Sequence, residues 1–80
     1  MKDLTLEIRT PDRSLFWGRV QNLSVRAVDG QLGVYPGHAP LATLIAPGEA
    51  VIRLESGEEQ RLQCGSGVLV VKVNNAFLLV

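Results

Sequence analysis

Eighty residues, 46% apolar and 20% charged, suffice for one ordinary globular domain and no more. Eight basic residues balance eight acidic ones, so the chain has no net pull toward nucleic acid or an anionic bilayer, and no basic run with interleaved aromatics suits a single strand. The lone cysteine, Cys64, excludes an internal disulfide framework and favours a reducing compartment; the start of the chain lacks the apolar core of a signal peptide, and no apolar run approaches the ~18 residues of a membrane-spanning helix.

Along the chain the dominant period is two. Leu4, Leu6 and Ile8 alternate with Thr5, Glu7 and Arg9, which predicts a half-buried strand. Thr10-Pro11-Asp12 ends it, because proline cannot donate to a ladder. Phe16 and Trp17 are neighbours and so point to opposite faces of a strand; one of them is expected at the surface. Leu23, Val25 and Ala27 form the next alternating run. Asp29-Gly30 then predicts a hairpin with a type I′ turn, which needs positive φ at its central residues.

The stretch Gly30 to Leu41, "GQLGVYPGHAPL", concentrates turn residues with the only histidine and tyrosine of the chain. After it, Leu41 to Ile45 comes nearest to helical spacing but is too short for a helix. Ala50, Ile52 and Leu54 alternate, Ser56-Gly57 predicts a second hairpin, and Leu62 and Cys64 continue the pattern. Gly65-Ser66-Gly67 and Asn74-Asn75 mark two more turns. Between and after them, "VLVVKV" and "AFLLV" are apolar on both faces, as strands are when they are covered on two sides, by their own core and by something else. Many short strands with frequent turns indicate an all-β sandwich or barrel.

Candidate chemistry is sparse. His38 has the chemistry of a general base or metal ligand, but no second histidine accompanies it, and zinc needs three or four ligands at workable spacing. Cys64 lies in phase with Leu62 and reads as a buried structural thiol rather than a nucleophile. Gly30, Gly33 and Gly37 do not spell a phosphate loop, and no helix follows them. Asp12, Asp29, Glu58 and Glu59 have no polar company that would shape a pocket. Arg26 and Arg53 read as solvated charges. Lys72 raises a different possibility, a lipoyl- or biotinyl-type carrier domain with a modified lysine at a hairpin tip, but the sequence puts Lys72 within a strand. No catalytic, metal-binding or cofactor-binding residue is therefore predicted.

The order of "TPDRSLFWGRV", "DGQLGVYPGHAPLATLIAPG" and "GSGVLVV" closely resembles the epsilon subunit of bacterial F-type ATP synthases, from Leu4 to Val80. The resemblance implies the N-terminal domain of that subunit, a β-sandwich of about ten short, mostly antiparallel strands. It implies a non-catalytic rotor part at the foot of the central stalk, peripheral to the cytoplasmic face of the bacterial inner membrane. One side would bind the gamma subunit, through positions matching Thr10, His38 and Thr43. The base would touch the polar loops of the membrane c-ring, through the hairpin Asp29, Gly30 and Gln31. Many family members carry an acid where Gln31 stands, so one charge-assisted contact to a basic ring loop is missing here. Most relatives continue into a helical hairpin that brakes ATP hydrolysis and in some binds ATP; residues 1–80 are expected to do neither.

Overall fold

The computed structural model describes residues 4–37 and 39–80; His38 lies outside the described residues. Eight strands are present: β1 (Leu4–Arg9), β2 (Ser14–Ala27), β3 (Gly30–Val34), β4 (Leu41–Ile45), β5 (Gly48–Leu54), β6 (Glu59–Cys64), β7 (Gly67–Lys72) and β8 (Asn75–Leu79). The fold is all-β, as expected, with eight strands among the described residues rather than ten. Leu41–Ile45 is a strand, not a helix.

The count differs because β2 is one strand of 14 residues serving two layers. Its first half pairs with β1, from Ile8↔Phe16 to Leu4↔Val20. Its second half pairs with β5 and β3, with Leu23 opposite both Ile52 and Val34. The register on β5 slips between Val20 and Asn22. That bulge swings the strand from one layer to the other and reverses its phase: Val20 faces the core, and so do Leu23, Val25 and Ala27. One layer is β4-β7-β8-β1-β2, the other β3-β2-β5-β6. Pairing is antiparallel throughout except between β1 and β8, which run parallel with Leu6 opposite Ala76.

Between the layers lie Leu4, Leu6, Ile8, Leu23, Ile52, Leu69 and Leu78, all essentially inaccessible, with Val20, Val25, Val34 and Val71 filling between them. Each buried aliphatic side chain of this size contributes about 1.5–3 kcal/mol relative to exposure. The core is dry of polar groups: no buried polar or charged residue occurs among the described residues. Cys64 belongs to it as a free, buried thiol.

The turns follow local chemistry with one difference from expectation. In the β2–β3 hairpin Ala27 pairs with Gly30, so the turn is Val28-Asp29, and Gly30 alone has positive φ, at 128°. The type I′ turn expected at Asp29-Gly30 is therefore absent; the strained conformation is confined to the glycine that follows the turn. Between β7 and β8 the turn is Val73-Asn74, with Asn74 at φ 60°, a conformation asparagine tolerates better than other residues with a Cβ. The side chain of Asn74 accepts the Gly37 amide at 3.1 Å, and its carbonyl accepts the Thr5 amide at 3.0 Å. The loop between β3 and β4 is thus tethered to the start of β1.

Candidate interaction surface

The two outer faces of the sandwich differ in character. On the β5–β6 side, outward residues alternate in charge across the strands. Arg53 donates to Glu59 at 2.7 Å, and Arg61 donates to Glu49 at 2.9 Å and to Glu59 at 3.2 Å. The hydrogen bond and charge of Glu49, with help from Glu59, raise the pKa of the Arg61 guanidinium above its ordinary value. A compensated ladder of this kind faces water comfortably, and it guards β6, which is an edge strand. Arg53, expected as a solvated charge, is instead half-buried and ion-paired within this ladder.

The opposite face is apolar. The registers of β4, β7, β8 and β1 line up two cross-strand rows on it. One row runs Ala42, Val70, Phe77, Glu7 and Trp17; the next runs Leu44, Val68, Leu79 and Arg9. Leu44 is 59% exposed and Trp17 70%, while Val68, Phe77 and Leu79 each show more than a third of their surface. Apolar residues gathered in this way on a small domain make a candidate contact surface. The two-sided apolarity of "VLVVKV" and "AFLLV" is thereby resolved: Leu69, Val71, Ala76 and Leu78 face the core, and Val68, Val70, Phe77 and Leu79 face out. Phe16 packs against the core and Trp17 points away from it.

Trp17 and Phe77 wall an open groove of about 330 Å³ at the margin of this face, with Thr5, Glu7, Val70 and Lys72 also lining it. Glu7 is already paired with Arg9 at 3.4 Å. Lys72 is exposed, is the last residue of β7, and directly flanks the Val73-Asn74 turn. The sequence placed it within a strand; its position is the strand's end.

The described site residues expected from the sequence lie toward one end of the sheet. Thr10 forms a closed turn after β1: its hydroxyl accepts the amides of Asp12 and Arg13, both at 3.2 Å, and donates to the Arg13 carbonyl, while its own amide also reaches that carbonyl. The ladders place Arg9, Leu79, Gly67 and Ile45 at this same end of the sheet. The Val28-Asp29 turn joins them there, because the Val28 amide donates to the Leu44 carbonyl at 3.1 Å. Thr43 is half-buried on the inward side of β4, and with Asp29, Gly30 and Gln31 it lines a second open cavity of about 270 Å³. Thr43 thus lies against the hairpin. Gly37 is tethered to Asn74 at the other end of the sheet; His38 lies outside the described residues. The surface rows are what sequence reasoning missed; their members were each visible as apolar residues, but their side-by-side placement depends on strand registers.

Residues 3–80 match the family described as ATP synthase, Delta/Epsilon chain, beta-sandwich domain. Among solved structures, a chain of the mitochondrial ATP synthase of Euglena gracilis, from an OSCP/F1/c-ring assembly in rotational state 1, superposes with a TM-score of 0.94 at 20% identity, over 100% of this chain and 51% of that one. A chain of the Tetrahymena thermophila mitochondrial ATP synthase, from a central stalk/c-ring structure, superposes with a TM-score of 0.80 at 14% identity, over 96% of this chain and 62% of that one. The eighty residues thus span about half the length of the Euglena chain.

Proposed function

Because the chain belongs to the ATP synthase delta/epsilon family, through its beta-sandwich domain, we propose that it is a non-catalytic rotor component of the central stalk of an F-type ATP synthase. In this reading it binds the gamma subunit and the membrane c-ring and helps couple ion translocation to ATP synthesis or hydrolysis at remote catalytic subunits. The observation that carries it is the unpartnered apolar face formed by Leu44, Val68, Val70, Phe77 and Leu79. A sandwich with one compensated charged face and one bare apolar face is built to be covered on one side, and permanent assemblies cover such faces with large apolar interfaces. The chain then works mechanically: a stiff β-core transmits force between a shaft and a ring.

The hairpin Asp29, Gly30 and Gln31 is the proposed c-ring contact, exposed at one end of the sandwich. Thr10, His38 and Thr43 are the proposed gamma contacts. The chain needs no nucleotide or metal for this role, and its place is on the cytoplasmic face of a bacterial inner membrane, held by the complex. The carrier-domain alternative yields to the family match; the absence of prosthetic mass on Lys72 in the protein purified from its host is the expected check.

Mixed with the gamma-type subunit of its own host, the chain should elute as a one-to-one complex in size-exclusion chromatography. Separate elution at micromolar concentration would overturn the stalk reading. His38→Glu should weaken that complex more than Glu58→Gln at the far hairpin tip; equal effects would remove His38 from the contact.

A further inference from the structure

We infer that the groove between Trp17 and Phe77 is the anchor point of the stalk interface, taking one apolar side chain of the partner and pairing Lys72 with a partner carboxylate. The inference rests on the stalk reading and adds which face is used and what chemistry the partner presents there.

Three features of the face support it. First, the groove continues the apolar rows: Val70 and Phe77 belong both to its wall and to the patch of Leu44, Val68 and Leu79. Interfaces concentrate their binding energy in a few aromatic anchors set in such pockets, ringed by contacts that exclude water. Trp17, 70% exposed and across a strand from Glu7, is the one indole of the chain and is poised to close over an inserted side chain.

Second, the charges at the groove are unequal. Glu7 is neutralised by Arg9 at 3.4 Å. Lys72, at the opposite lip, makes no ion pair or hydrogen bond among the described residues. A partner that covers this groove therefore meets the exposed ammonium of Lys72, and an acid on the partner is the complement that avoids burying it unpaired. Third, the other large face is ruled out as the main contact by its ladder of Arg53, Glu59, Arg61 and Glu49, whose charges are already satisfied by each other.

The occupant is thus a segment of the stalk partner carrying an apolar side chain beside a carboxylate. The test measures binding of the intact chain and its variants to the purified gamma-type subunit of the same host by calorimetry, with circular dichroism confirming each variant's fold. Trp17→Ala should weaken the complex by about thirtyfold, as an anchor does. Lys72→Glu should weaken it by tenfold or more, with a raised salt dependence lost, whereas Lys72→Arg should bind within threefold of wild type. Wild-type binding with Trp17→Ala and Lys72→Glu both unaffected would overturn the anchor while leaving the stalk reading intact. Failure of the wild-type chain to bind would overturn the stalk reading and the anchor with it. A concentration-dependent dimer of the chain alone in sedimentation, abolished by Trp17→Ala, would assign the groove to a second copy and overturn the proposal.

Discussion

Gly65, in the β6–β7 turn, and Gly67, the first residue of β7, sit two residues apart, yet they should respond oppositely to a single methyl group. At Gly67 an added Cβ would stand 2.9 Å from both the Leu79 carbonyl carbon and the Val80 Cα and would run into the Leu79 carbonyl oxygen. These are backbone atoms of the neighbouring strand, so no rotamer change relieves the clash; β7 and β8 must part where Val68 pairs with Leu79. Overpacking against a well-filled interior costs about 1–3 kcal/mol when side chains can adjust, and more when they cannot. We take about 3 kcal/mol for Gly67→Ala, a large share of the ~4–12 kcal/mol expected for a domain of this length. At ~4–8 °C per kcal/mol, the melting temperature should fall by about 12–24 °C. At Gly65 nothing lies within 4 Å of the added Cβ, and the backbone is not left-handed. Gly65→Ala should therefore be neutral or stabilising by up to about 1 kcal/mol, through the lost freedom of the unfolded chain. Urea denaturation followed by far-UV circular dichroism reads both; the indole of Trp17 is too exposed to report on the core. A Gly67→Ala variant within about 0.5 kcal/mol of wild type, or a Gly65→Ala variant equally damaged, would refute the packing argument.

Two further outcomes follow from local chemistry. Thr10→Val removes the oxygen that accepts two amides and donates to Arg13, so it should cost about 1 kcal/mol in a thermal melt, with Thr10→Ser close to wild type; a neutral Thr10→Val would mean that water replaces the turn without loss. Burial pushes the Cys64 thiol pKa up, so the native thiol should react with Ellman's reagent far more slowly than the urea-unfolded one. The same shift means that the unfolded chain releases this proton first. Its stabilising effect is complete below the ordinary thiol pKa of ~8.5 and is lost as pH rises through the folded value. The urea midpoint of wild type should fall more between pH 7 and 9.5 than that of Cys64→Ala, and parallel declines would rule the thiol out.

Where alternation is unbroken, the sequence was legible residue by residue. β1 and β5 lie where period two placed them, β7 and β8 lie where the two apolar runs did, and the buried set Leu4, Leu6 and Ile8 is the predicted one. The bulge at Gln21 is where period-two reading fails, since Val20 and Leu23 both face inward though three positions apart. A local pattern cannot tell one bent strand from two straight ones. The turn at Val28-Asp29 was misplaced by one residue because a glycine in the positive-φ region fits either side of a tight turn. For the candidate surface, the apolar surplus of the last two strands was legible as an outward apolar face. Neither the gathering of Leu44 and Trp17 onto that same face nor the choice of Trp17 over Phe16 could be read locally, because both depend on pairings between residues distant in sequence.

The parallel pairing of β1 with β8 also governs how the domain comes into being. β1, β8, β7, β4 and β2 form a closed circuit in which β1, made before the other seven, waits for β8. Until β8 is made, Leu6 and Ile8 lack the neighbours that shield them, and the open flank of β1 offers unpaired amides to any passing strand. Contacts so distant in sequence close slowly, on the millisecond-to-second scale typical of all-β domains. Little of the apolar face can therefore exist in register on a growing chain: Phe77 and Leu79 join Val68 and Val70 only at the final stitch. The apolar face thus comes into being late and whole, when β8 joins the sheet.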